Sequence, residues 1–235
     1  MSLKKPAALT SVKDVDQFLT LLEKNSDPRQ SPSARLLFAL DATASREGTW
    51  NEARRLHATL FDVAAEYRGR LKVQLCFYQG FDLFQRSEWL DDAQALKQRM
   101  SRVQCLGGYS QIEKVLRHAL QETQQSAVKA VVFIGDALEE DPDRLCHLAG
   151  QLGLLNTPLF VFQEGEDART ESVFKQMAQL SQGAWARFDA RSAGQLEVLL
   201  RSVAAYAAGG LSALENDPKA TRIALDLVRQ LENKP

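Results

Sequence analysis

Three short segments of this 235-residue chain concentrate oxygen ligands. Asp41-Ala42-Thr43-Ala44-Ser45 places a carboxylate and two hydroxyls at alternate positions, which an extended loop projects to one side. Gly107-Gly108-Tyr109-Ser110-Gln111-Ile112 offers a further hydroxyl beside a glycine pair, and Asp136 is followed by the acidic run Glu139-Glu140-Asp141. Asp41, Thr43, Ser45, Ser110 and Asp136 form a hard, all-oxygen set without His or Cys, suited to Mg2+ or Mn2+ rather than zinc. They are too few to close a cage. An octahedral ion held by them keeps waters and an open position, which an acidic side chain of a protein partner can fill.

Such a set needs a scaffold that delivers its loops to one edge. Short continuous apolar runs alternate with longer amphipathic stretches, the pattern of parallel strands buried on both faces and joined by crossover helices. The runs are Leu36 to Leu40, Leu71 to Tyr78, Ala130 to Gly135, Leu159 to Phe162 and Ala184 to Phe188; Phe81 to Gln85, after the turn residue Gly80, reads as a returning antiparallel edge strand. Thr49 with Glu52 and Ser110 with Glu113 have capping-box spacing, Asp141-Pro142 reads as N-cap and first helical position, and Ser192 with Gln195 opens a further helix. The fold class is α/β: a doubly wound, mostly parallel sheet with helices on both faces. In such a sheet, ligands bind beyond the carboxyl ends of the strands, where all three oxygen-rich segments fall.

The expected organisation is an N-terminal helix and linker at 1–33, the α/β domain at 34–207, and a C-terminal helical extension at 208–235. Gly209-Gly210 interrupts the helix that begins near Ser192, and Asp217-Pro218 begins a last one.

With these residues in view, the chain resembles a von Willebrand factor A domain, whose metal-ion-dependent adhesion site uses D-x-S-x-S, a later Thr and a later Asp. The matching positions are Asp41, Thr43 and Ser45, then Ser110, then Asp136, with Leu106-Gly107-Gly108 and Phe133-Ile134-Gly135-Asp136 supporting the match over roughly 34–207. Stand-alone bacterial members are the most similar in kind. The resemblance implies hydroxyls bound directly to the ion, aspartates acting directly or through water, and service as an adaptor, since bacterial relatives often accompany chaperone-like or AAA-type ATPases. Thr43 stands for the usual Ser, Ser110 for Thr one residue farther from the glycine pair, and Gly-Asp-Ala for Thr-Asp-Gly.

Arg46, Trp50, Tyr109 and Glu139 adjoin the set and are candidate partner contacts. A guanidinium at Arg46 either repels a cation or clamps an incoming carboxylate. Each residue also has a plain structural role: Ser110 as a cap, Thr43 and Ser45 as turn formers, the acidic run as a helix N-terminus. A magnesium-dependent phosphate-ester hydrolase with Asp41 as nucleophile is the alternative chemistry, but D-A-T-A-S lacks the second Asp of D-x-D-x-T, and no P-loop or dinucleotide glycine motif is present. A metal-free scaffold of the same fold is the third reading.

Composition narrows the partners. With 29 Lys plus Arg against 30 Asp plus Glu, there is no global field to attract nucleic acid or anionic lipid. No run approaches the roughly 18 apolar residues of a membrane span, and the N-terminal Lys4-Lys5 has no apolar run behind it. Cys76, Cys105 and Cys146 are too scattered for a disulfide framework and read as buried thiols, so a cytoplasmic location is expected. His57, His118 and His147 lack any metal spacing and read as structural.

Overall fold

The computed structural model describes residues 33–47, 50, 61–62, 66, 70–188, 193–215 and 222–232. All belong to the unit Ser33–Pro235. The expected N-terminal helix, the helix opened by Thr49 and Glu52, and the starts at Ser192 and Asp217 lie outside the described residues.

Six strands form one sheet: β1 (Ala34–Asp41), β2 (Leu71–Gln79), β3 (Leu83–Arg86), β4 (Ala130–Gly135), β5 (Leu159–Glu164) and β6 (Ala184–Phe188), in the order β3-β2-β1-β4-β5-β6. All neighbours are parallel except β2 and β3. The edge strand starts two residues later than the sequence suggests, because Phe81 and Asp82 join Gly80 in the turn.

Alternation along β1 shows why its run is apolar throughout. Leu36, Phe38 and Leu40 enter one core layer with Val132, Ile134, Phe160 and Phe162, whereas Leu37 and Ala39 enter the other with Val131, Phe133 and Val161. Both faces are covered, so no polar face is needed. The register pairs Leu40 with Ile134, and Asp41 with Tyr78 of β2. Asp41 and the Asp136 loop therefore leave the sheet from the ends of the adjacent strands β1 and β4.

The helices are α1 (Ala93–Ser101), α2 (Ile112–Gln125), α3 (Pro142–Leu154), α4 (Ala168–Leu180), α5 (Ala193–Glu215) and α6 (Arg222–Glu232). Asp141 caps α3, accepting from the Asp143 N–H at 3.0 Å with Pro142 in the first turn. Only Leu96 and Met100 of α1 are buried, too sparse a stripe for periodicity to reveal. Non-helical dihedrals at Gly209 and Gly210 split α5 where the sequence places an interruption. α6 buries Leu227, Val228 and Leu231 in the layer that contains Leu36 and Phe38. Its Gln230 amide accepts from Trp185 N–H at 2.9 Å and donates to Trp185 C=O at 3.1 Å, taking the place of a neighbouring strand beside β6.

In α2 the buried His118 donates from Nε2 to Gln74 Oε1 at 2.7 Å, since an amide oxygen can only accept. Burial holds its imidazole below the ordinary value, against the opposing pull of Glu122. The fold thus prefers the neutral ring. Below about pH 6.5 the unfolded chain takes up the proton first, so stability falls as pH drops toward the depressed value. Urea unfolding across mildly acidic pH is expected to show that loss in wild type and less of it in His118→Gln; equal slopes contradict it.

Gly210 has φ of 72° and ψ of −165°, a region open essentially to glycine alone. Gly210→Ala is expected to cost about 1–3 kcal/mol in denaturant unfolding. An unchanged midpoint would show that the α5 kink relaxes freely.

Candidate metal centre

At the end of β1 the chain folds back tightly. Thr43 is extended, with φ of −79° and ψ of 163°, and Ala44–Arg46 form a single 3-10 turn. Asp41 Oδ1 accepts the Thr43 N–H at 2.7 Å, and Thr43 Oγ1 lies 3.0 Å from Ser45 Oγ. The alternating oxygens thus converge through an extended residue followed by a turn, instead of along an extended loop. Ala42 N–H donates to Tyr78 C=O at 2.9 Å and Leu106 N–H to Ala42 C=O at 3.1 Å, which lays the second loop alongside the first.

Gly108 fixes the height of that second loop. A Cβ there would stand 1.8 Å from the Gly80 carbonyl oxygen, so only glycine permits the approach. Ser110 follows at the cleft, but not as the expected cap. Its N–H donates to Glu139 Oε2 at 2.8 Å, and its Oγ accepts from the Glu139 N–H at 2.9 Å. The first turn of α2 is capped from the third loop: Glu140 accepts from Ile112 N–H at 2.7 Å and Glu113 N–H at 2.8 Å. Glu113, assigned to the capping box by spacing, instead pairs with Arg117 at 2.6 Å and Arg144 at 2.7 Å. A carboxylate at a helix N-terminus satisfies two orphan donors and meets the positive end of the dipole, which a serine hydroxyl does less well.

The three loops enclose a cleft of about 280 Å³ lined by Asp41, Thr43, Ser45, Ser110, Asp136 and Glu139. All five predicted ligands are therefore brought together. Asp136 Oδ1 is buried and has no hydrogen-bond partner among the described residues, an acceptor left vacant. Burial raises the Asp41 carboxyl to about 6, against the opposing hydrogen bonds from Thr43 and the charge of Arg46, with Asp136 adding to the rise. Among the described residues no three His, Cys, Asp or Glu side chains group as a metal cage. A set of two carboxylates and three hydroxyls is of the open kind, and the vacant Asp136 oxygen beside a desolvated Asp41 fits a divalent cation.

Two residues of the site are invisible to motif reading. Tyr78, buried in β2, donates its phenol to Asp41 Oδ2 at 2.9 Å, and burial pushes that phenol well above its ordinary value so that it stays a donor. Only the register that pairs it with Asp41 could have identified it. Glu164, at the end of β5, accepts from Arg46 Nε at 2.9 Å, while Arg46 Nη1 donates to the Asp41 carbonyl at 2.7 Å. Arg46 is consequently buried beneath the loop, as is Trp50, whose Nε1 donates to Val103 C=O at 3.2 Å. Neither presents surface to a partner, whereas Tyr109 and Glu139 stand at the exposed rim. Cys76 and Cys146 are buried and Cys105 half-buried, and burial pushes the Cys105 thiol up to about 11.

No protein-family profile and no curated protein matches the chain. Solved structures do. A von Willebrand factor type A protein from Catenulispora acidiphila superposes with a TM-score of 0.62 at 17% identity, over 76% of this chain and 43% of that one. The chain has the von Willebrand factor A fold. The SpRpn10 VWA domain aligns at TM-score 0.58 and 12% identity, over 73% of this chain and 95% of that domain. Proximal thread matrix protein 1 from the mussel byssus, described with a zinc-occupied MIDAS motif, aligns at 0.59 and 13%, over 74% and 46%. The chain spans less than half the length of the first and third of these.

The capping arrangement separates two residues that spacing alone confuses. Glu140→Ala is expected to destabilise the domain by about 1–2 kcal/mol in urea, and Glu113→Ala by about 0.5 kcal/mol or less. The reverse ranking would restore the Ser110–Glu113 box.

Proposed function

We propose that the domain is a protein-interaction module that binds an acidic side chain of its partner through a divalent cation, Mg2+ or Mn2+, held by Asp41, Thr43, Ser45, Ser110 and Asp136. The observation that carries this reading is the vacant, buried Asp136 Oδ1, opening on a cleft that contains the other four ligands. The bound cation supplies a Lewis-acid position that a partner carboxylate completes. The protein's own part is to present oxygens without closing the shell: Thr43 and Ser45 hold their hydroxyls 3.0 Å apart, and the Glu139 N–H orients Ser110 Oγ.

The same geometry argues against the hydrolase. Asp41 is buried, its Oδ1 takes the Thr43 N–H and its Oδ2 the Tyr78 O–H, so the carboxylate is held as a framework for the loop instead of being aimed at a substrate. We further propose an adaptor role in a larger, chaperone- or ATPase-associated cytoplasmic assembly, which rests on the resemblance noted from sequence. Among the described residues no helix is long and apolar enough to cross a membrane.

Thermal unfolding of wild type and Asp41→Ala, each with chelator and with millimolar Mg2+ or Mn2+, tests the site. Wild type is expected to gain about 1–3 kcal/mol of stability at saturating ion, a rise of a few degrees in Tm, and Asp41→Ala none. A partner captured with equal affinity in chelator, or by Asp41→Ala, would leave the metal-free scaffold as the better reading.

A further inference from the structure

Phe81 and Tyr109 are exposed to 72% and 60%, although the other described phenylalanines are buried or half-buried. Their rings meet edge to face, with centroids 5.5 Å apart. Tyr109 stands between Gly108 and Ser110, both of which line the candidate cleft, and Phe81 follows Gly80, against which Gly108 packs. The pair is therefore a shelf on the cleft's border, built from two separate loops. Aromatic side chains exposed together in this way are uncommon on a monomer surface and are the residues that dominate protein interfaces.

Charge selects what can lie there. Among the described residues no basic side chain lines the cleft, and Glu139 stands on its rim. On the shelf's other side, Asp82 is already paired with Lys114. A second acidic group on a partner finds no free counter-charge among the described residues lining the cleft, which favours a single acid over the cation with apolar or basic neighbours. We infer that the partner is a protein segment in which a single Asp or Glu lies next to, or one place removed from, a large apolar side chain, the acid seated at the cleft and the apolar group on Phe81 and Tyr109. This rests on the cation reading of the cleft.

The test uses the full chain and a displayed library of random peptides with one fixed central Asp, alongside a control library with Ala in its place. Each is panned on wild type and on the double variant Phe81→Ser/Tyr109→Ser, with Mn2+ and with chelator. Sequences enriched on wild type in Mn2+ are expected to carry a large apolar residue beside the Asp, and to bind the double variant about tenfold or more weakly. The double variant should keep the wild-type metal-dependent Tm, since both side chains are exposed. No enrichment on wild type over the variant overturns the inference. Acid-dependent, chelator-sensitive binding that is equal on both proteins overturns the shelf alone and leaves the cation reading standing. Enrichment indifferent to chelator and to Ala in place of Asp overturns the coupled anchor and locates the failure in the cation reading. Self-association of wild type that the double variant lacks assigns the shelf to a second copy and overturns the partner segment.

Discussion

Two carboxylates leave adjacent strand ends of one sheet, Asp41 buried and Asp136 with an oxygen buried beside it, and much of the surrounding architecture manages that charge. Asp41 receives a backbone N–H and a phenol, and a guanidinium lies behind it on its own carbonyl. Arg46 is in turn balanced by Glu164 from the next strand but one, so the first loop is tied to β5 through an ion pair removed from water. A pair of this kind adds little net stability but is costly to break from one side, which fixes the loop's conformation. Asp136 Oδ1 has no such provision. The asymmetry between a supported Asp41 and an unsupported Asp136 gives the cleft its chemical direction.

The second constraint is steric. The loop bearing Ser110 can reach the cleft because two glycine backbones touch, and it is held there by reciprocal bonds with Glu139 while Glu140 caps the first turn of α2. The acidic run thus joins two loops of the site instead of forming only the start of α3. The rim between them has an exposed face on either side: carboxylate at Glu139, aromatic at Tyr109.

The inner strands were legible because burial on both faces leaves an unbroken apolar run in sequence, as in Ala130–Gly135, while the edge strand Ala184–Phe188, only partly buried, still coincides with its weaker run. Helix α3 was equally legible, since Asp141 and Pro142 act on their own neighbours. The five candidate ligands could be picked out because Asp41 ends β1, Thr43 and Ser45 follow it, Asp136 follows β4 and Ser110 shortly precedes α2. What escaped depends on partners distant in the chain. Ser110 and Glu113 have the right spacing for a box, but Glu140 outcompetes them with a charge-assisted pair of bonds. Tyr78 looks like any core aromatic until the β1–β2 register sets it opposite Asp41. Arg46 and Trp50 adjoin the motif in sequence, and proximity in sequence suggested a shared surface. The turn at Ala44–Arg46 reverses that expectation by sending the guanidinium inward.

The Gln230 side chain has a bearing on the sheet as a whole. By satisfying both main-chain groups of Trp185, it removes from β6 one pair of the free groups that another extended chain would use to join the sheet. The opposite border ends in the four-residue β3, preceded by the turn at Gly80 and carrying Arg86. One border is thus partly covered by an amide and the other kept short, both of which disfavour edge-to-edge pairing without closing the sheet into a barrel.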